Sequence, residues 1–374
     1  MKPLSTLPPL KGARVLVRVD YNVPFKGSKI ADTRRIDASV DTIRTIIKKG
    51  GTPVLIAHLG DESATLRPVA TYLSKSFKTV FVTEDVMSTK IEEILDQVPT
   101  STVILLENIR RYEGEEKNTA SFARRLAALG AYYVNDAFSV SHRAHASVVG
   151  IPKYLPSYAG VQLIKEVEAL APVVAHPQHP FAFILGGAKF ATKIPLIGRF
   201  IDTADHVVIA GALLNSFYKT LGFEVGKSVV EDEYEKEIKK LAKKPNLLLP
   251  VDVIVVRGTK KVVCTPDEIQ TKDVVVDIGP QSVALINQKI VKAKLVVWNG
   301  PTGWYEKGFT KATTDIAKAI AQSKARAVIG GGDTGVVVEK ALKGDHKRIF
   351  VSTGGGATID FLATGTLPGI KALG

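Results

Sequence analysis

A chain of 374 residues is longer than one hydrophobic core usually organises, so two domains are expected. Its 45% hydrophobic and 23% charged content is that of an ordinary globular protein and excludes wholesale disorder. Lysine and arginine outnumber aspartate and glutamate by 50 to 37, and the resulting net charge of +13 favours anionic partners. The basic residues are dispersed, with no long basic block and no aromatic-basic repeat, which makes phosphorylated metabolites a better match than nucleic acid.

The first nine residues, Met1 to Pro9, contain no apolar core of signal-peptide length, and nowhere do 18 uninterrupted apolar residues occur. A cytoplasmic location without membrane attachment is expected. Short apolar runs predict strands at 15–19, 54–57, 80–82, 103–106 and 132–134. Between the first two, Ile36, Val40, Ile43 and Ile47 keep the spacing of one helical face. Pro156, Pro172, Pro177 and Pro180 then bracket a helical stretch at 161–170 that reads as a connector. A second set of strands is predicted at 181–185, 207–210, 253–256, 295–298, 327–329 and 349–351. The single cysteine, Cys264, excludes an intrachain disulfide framework and suits a reducing compartment. Alternating strands and helices predict an α/β fold of two doubly wound parallel-sheet, Rossmann-like domains, joined by the connecting helix with a cleft between them.

Three glycine-rich turns each follow a predicted strand: Gly186-Gly187-Ala188-Lys189, Gly330-Gly331-Gly332-Asp333-Thr334 and Ser352-Thr353-Gly354-Gly355-Gly356. Such turns serve as helix caps or tight corners, but they also let a backbone approach phosphate at a helix N-terminus. Lys189 and Asp333 add a charge and a metal ligand that a mere corner does not need. The first half gathers a different set just past its strands: Arg18, Asp20, Tyr21 and Asn22, then Arg34-Arg35, His58-Leu59-Gly60, Glu107-Asn108-Ile109-Arg110 and His142-Arg143-Ala144-His145. Arginine forks bind carboxylate and phosphate bidentately, so this set fits a small polyanion. His142 and His145 lack the further histidine or cysteine of a zinc site. Gly222 to Ser228 imitates a Walker A loop one residue short, which leaves Lys227 as surface charge.

In these strings, together with Asp277 to Pro280, Trp298 to Pro301 and Leu367 to Leu373, the chain resembles the phosphoglycerate kinase family over nearly its full length. The resemblance implies reversible phosphoryl transfer between 1,3-bisphosphoglycerate and ADP, giving 3-phosphoglycerate and ATP, with Mg2+ and a monomeric chain. It implies a glycerate domain of residues 1–158 rejoined by 360–374, a connecting helix at 159–174, and a nucleotide domain at 175–359. Catalysis would fall to Arg35, Lys189, Gly354 and Gly355. Asp20, Tyr21, Asn22, Arg35, His58, Leu59, Gly60, Asp61, Arg110 and Arg143 would bind the glycerate substrate. Gly186, Gly187, Lys189, Lys193, Gly211, Asn299, Pro301, Glu306, Gly330, Gly331, Gly332, Asp333 and Thr334 would bind nucleotide, with Asp333 holding the metal. In the direction of ATP use the nucleophile is a carboxylate, already ionised at neutral pH, so no general base is needed.

The chain departs from the family pattern at Asp61, where an arginine is usual, at Arg111 for phenylalanine, and at Ala212, Leu213 and Trp304 beside the adenine pocket. Asp61 predicts weakened substrate binding, with Arg67 or Arg111 as candidate compensators. The rival reading is a catalytically weakened nucleotide-binding or regulatory protein on the same fold.

Overall fold

The computed structural model describes residues 1–27, 29–342 and 347–374. The chain divides into two compact units, residues 1–168 with 366–374, and residues 169–365. Each is built on a six-stranded, wholly parallel sheet. In the first unit the strand order is Thr79–Val82, Val103–Leu106, Thr52–Ile56, Arg14–Arg18, Tyr132–Asn135, Ser157–Ala159. In the second it is Leu247–Leu248, His206–Ile209, Phe181–Leu185, Leu295–Asn299, Arg326–Gly330, Ile349–Val351. The central strands are buried along their whole length, as Thr52–Ile56 and Phe181–Leu185 are, because helices cover both faces of such sheets. Both are doubly wound α/β sheets, as the alternation of apolar runs predicts.

Three local expectations are corrected. Residues 253–256 do not join the second parallel sheet. Val253–Arg257 instead centres a separate antiparallel sheet with Lys260–Cys264 and Val274–Ile278, because the two-residue Gly258-Thr259 turn folds the chain straight back. The short strands Ser157–Ala159 and Leu247–Leu248 extend the two parallel sheets at their edges, with too few residues for an apolar run to register. The predicted helix over 36–47 is two helices, Arg34–Ala38 and Val40–Lys48, which meet at Ser39, whose Oγ shares a hydrogen bond of 2.8 Å with the buried Tyr21 hydroxyl.

Helix Val161–Ala175 carries the chain from the first unit into the second, with Pro172 inside it. Its first turn is held by the buried Asp136, whose Oδ1 accepts from the Gln162 N–H at 2.8 Å and lies 3.4 Å from that of Leu163. The C-terminal helix Pro368–Lys371 belongs to the first unit, where the Gly369 N–H donates to the Ser141 carbonyl at 2.8 Å. Among the described residues no helix is long and apolar enough to cross a membrane.

Candidate active site

In the first unit the candidate residues collect past the carboxyl ends of adjacent parallel strands, where loops of such sheets converge. Arg18 ends its strand and is only 1% exposed. Its guanidinium donates to the Val19 carbonyl at 2.6 Å and lies 3.0 Å from His58 Nδ1. Burial, then Arg18, Arg110, Arg143 and His145, drive the His58 pKa far below the ordinary imidazole range, so the ring is neutral. Burial and Arg143 likewise push His145 down to about 4. Arg143 is itself depressed, by burial and then by Arg110. Positive side chains gathered this closely around a neutral histidine suit an anionic ligand.

Arg35 stands at the rim. Its Nη1 lies 3.0 Å from Asp20 Oδ2 and donates to the Asn22 carbonyl at 3.1 Å. Asp20 also accepts from the Ser139 hydroxyl, a partner that no motif singled out. Asn22 Oδ1 accepts from the Gly60 N–H at 3.1 Å, which joins this loop to the one after His58. Tyr21 and Leu59 are buried side chains, 0% and 3% exposed, so a ligand would meet only their backbone.

The loop after His58 is organised by Asn108, a fully buried residue outside the predicted set. Asn108 Oδ1 accepts from the N–H groups of Leu59 and Arg110, both at 3.1 Å, and its Nδ2 donates to the Asp61 carbonyl at 2.9 Å. The exposed Asp61 carboxylate turns back on its own loop, accepting from the Ser63 N–H at 2.8 Å and hydroxyl at 2.7 Å, and these bonds hold its pKa below the usual carboxylate range. Of the two candidate compensators, Arg67 stacks over the Phe81 ring at 5.2 Å. Arg111 wraps the underside of the short loop, donating to the Glu62 carbonyl at 3.2 Å and the Ser63 carbonyl at 3.3 Å.

The second unit builds its site from backbone. The Gly186 N–H donates to the Asn299 carbonyl at 2.8 Å and the Gly187 N–H to the Pro301 carbonyl at 3.0 Å. A Cβ on Gly186 would sit 2.2 Å from Pro301 O, and one on Gly300, whose φ is +90°, 2.3 Å from Gly186 O. Only glycine permits this approach. The buried Trp298 indole fixes the turn by donating to the Gly300 carbonyl at 2.8 Å. Gly211 joins through its N–H to the Thr302 carbonyl at 3.1 Å. The second glycine turn follows strand Arg326–Gly330, with Gly331 preceding helix Gly332–Ala341, whose first turn carries Asp333 and Thr334. The third opens helix Gly356–Thr364 after Gly355; the Gly354 N–H is taken by Ser352 Oγ at 3.1 Å.

A cavity of about 510 Å³ lies among these loops, lined by Gly187, Lys189, Gly211, Pro301, Glu306 and Asp333. Its apolar side includes Leu214, Val229 and Val276, together with Trp304, which is 42% exposed. Lys227, read from the sequence as surface charge, is exposed and lines this same cavity. Asp277 braces the floor: its carboxylate accepts from the Thr302 hydroxyl at 3.1 Å and the Ile278 N–H at 3.0 Å, and burial pushes its pKa up to about 6.

Lys193 is 7% exposed, its Nζ donates to Asn299 Oδ1, and burial pushes its pKa down to about 8. The other end of that amide, Nδ2, is buried with no acceptor, and so is the hydroxyl of Thr334. Partial burial, then the Glu306 carboxylate, raise the Asp333 pKa. Orphaned donors beside a buried ammonium and two facing carboxylates fit a phosphate chain with a divalent cation. Among the described residues no group of three or more histidines, cysteines, aspartates or glutamates could hold a metal alone.

The chain is similar to known proteins over nearly its whole length. The family model described as phosphoglycerate kinase matches residues 5–365. A phosphoglycerate kinase of Dictyoglomus turgidum is 40% identical, over 97% of this chain and 96% of that protein. One from Pelotomaculum thermopropionicum is 39% identical, over 97% of both. Among solved structures, the phosphoglycerate kinase of Coxiella burnetii superposes with a TM-score of 0.84 at 34% identity, covering 99% of this chain and 97% of the other. That of Pyrococcus horikoshii does so with 0.88 at 28% identity, covering 100% and 98%. The family model over residues 5–365, relatives at about 40% identity and solved structures that match both parallel-sheet units from end to end place the chain in the phosphoglycerate kinase family.

Proposed function

We infer that residues 1–168 hold the glycerate substrate and residues 169–365 the nucleotide, in a chain whose function is the glycolytic transfer of a phosphoryl group between 1,3-bisphosphoglycerate and ADP. In that direction the acyl O–P bond breaks and a new O–P bond forms at the β-phosphate of ADP, leaving 3-phosphoglycerate as a carboxylate. No proton has to move. The protein's task is therefore alignment and charge stabilisation.

Arg110 and Arg143 neutralise the substrate's anionic groups, the neutral His58 donates one hydrogen bond, and Asp20 holds Arg35 ready for the transferred group. Lys189 is the counterpart on the nucleotide side, with Lys193, Asn299 and Thr334 on the phosphates. Gly355 opens the helix that presents backbone donors. Asp333 would hold Mg2+, which would supply charge neutralisation to the nucleotide phosphates. The observation that carries this reading is the pair of buried donors without acceptors, Asn299 Nδ2 and Thr334 Oγ1, close in sequence to Pro301 and Asp333, which line a cavity of about 510 Å³.

Lys189→Ala is expected to lower kcat by roughly 10²- to 10³-fold with a smaller change in KM. Asp333→Asn is expected chiefly to raise the KM for the magnesium–nucleotide complex. Steady-state kinetics of ATP formation with both substrates varied provide the check, and the reverse pattern would overturn the assignments.

A further inference from the structure

Histidine beside a guanidinium has a constraint that its sequence does not reveal. A guanidinium carries only donors, so a ring nitrogen facing it at hydrogen-bond distance must be the one without a proton. Arg18 Nη2 lies 3.0 Å from His58 Nδ1. Both groups are buried, 1% and 2% exposed, so water cannot substitute for either partner.

We propose that Arg18 is a positioning residue which locks His58 as the neutral Nε2–H tautomer, so that the ring offers the glycerate substrate a hydrogen-bond donor and never a charge. The inference rests on the reading of this unit as the glycerate site, but its central claim concerns one proton on one ring. Three features support it beyond the single distance. Arg18 is itself held, by its bonds to the Val19 carbonyl at 2.6 Å and the Ile56 carbonyl at 3.3 Å, so its Nη2 cannot swing away. The charged groups that act on His58 are Arg18, Arg110 and Arg143, with His145 beside them, and all of them disfavour a second proton. The acidic charge that steadies Arg18 comes chiefly from Glu115, which is buried and anchored on Ser147 through the N–H at 2.9 Å and the hydroxyl at 2.6 Å.

The consequence is a division of roles. Arg110 and Arg143 supply charge, while His58 supplies direction, and substrate affinity should carry no histidine titration between pH 5 and 8 from this ring. Arg18 then matters to binding without being offered to the ligand.

The test is a long-range 1H–15N correlation spectrum of the full-length protein labelled with [15N]histidine, recorded from pH 5 to 8. The expected result is a His58 ring whose Nε2 bears the proton throughout. Protonation at Nδ1, or ordinary titration in this window, would overturn the proposal, and this arm needs no variant. In Arg18→Met, burial, Arg110 and Arg143 still keep the ring neutral, but no donor fixes Nδ1 as the acceptor, so the Nδ1–H tautomer should become populated and the KM for 3-phosphoglycerate should rise about tenfold at pH 5.5 and pH 8 alike. Arg18→Lys, which keeps a donor, should restore the Nε2–H tautomer and most of the affinity. A folded Arg18→Met protein that keeps the Nε2–H tautomer would assign Arg18 a merely structural role. An intact tautomer in a protein that does not turn over 3-phosphoglycerate would uphold the positioning and instead sink the reading of the site.

Discussion

The two units build their candidate anion sites by opposite means. The first uses side chains, with Arg18, Arg110 and Arg143 lowering the proton affinity of His58 and of His145 beside it. The second uses main chain, with Gly186, Gly211 and Gly300 so close to neighbouring backbone that no Cβ would fit, and Gly187 at a φ of +86°. A small, rigid substrate with a carboxylate and a phosphate gains from forks fixed at two points. A flexible phosphate chain gains from a row of N–H groups that can follow it, and its base needs an apolar wall more than a charge. The comparison teaches that these sites should fail differently: the first by losing charge and direction, the second by losing shape.

Shape gives the largest expected effect. In Gly186→Ala the new Cβ would lie 2.2 Å from a backbone carbonyl that cannot give way, so a loss of roughly 4 kcal/mol or more is expected. Thermal unfolding should register it, with nucleotide binding lost and 3-phosphoglycerate binding retained. Gly332→Ala sharpens the contrast. A Cβ there meets no atom of the protein within 4 Å. Stability should stay within about 0.5 kcal/mol, while the KM for ADP rises about tenfold if the phosphates approach that helix end. Equal melting temperatures with equal KM would remove the second turn from the site.

Lys193 is the exception that tests the comparison, a buried cation on the backbone-built side. Lys193→Met should raise the KM for ADP by about 10- to 100-fold, yet raise the melting temperature by a few degrees, since it removes a desolvated charge. The sign follows from linkage. The folded pKa, about 8, lies below the unfolded 10.5, so the penalty of the buried ammonium is full below pH 8 and fades between 8 and 10.5. The variant's stability gain should fade over the same interval, and the wild-type KM for ADP should climb as pH rises through about 8. A variant that melts below wild type at pH 7 would mean that the Asn299 bond outweighs the buried charge.

What was legible in the sequence divides along similar lines. Strands such as Val103–Leu106 and Phe181–Leu185 announce themselves because a strand buried on both faces must be apolar throughout. Glycine turns are legible because few other residues tolerate their backbone. Asn108, Ser139 and Glu115 were not, because they act through another residue: Asn108 on Leu59, Ser139 on Asp20 across 119 positions, and Glu115 on Arg18. Arg18 was visible as a charge beside a strand but not as a buried one. The Lys227 loop was read against a motif it does not match, and its place beside the cavity depends on the antiparallel sheet that the strand pattern misassigned.

The smallest expected effect is at Asp61, where the side-chain site carries a charge of the wrong sign. A simple exchange for arginine would mislead, because it would remove both bonds to Ser63 and open the turn that Asn108 and Arg111 hold from below. Asp61→Asn is the cleaner probe. It keeps an Oδ1 that can accept from the Ser63 N–H and hydroxyl, and it deletes only the negative charge. Because the carboxylate is exposed, water and ions screen most of its field. The KM for 3-phosphoglycerate should therefore fall only about two- to threefold at low ionic strength, and the gain should vanish in about 0.5 M salt. If the fall persists in high salt, the benefit is not electrostatic and must come from the loop; if KM does not fall at low salt, the cation cluster does not feel Asp61, and the substrate is held by Arg110 and Arg143 without a tax from this position.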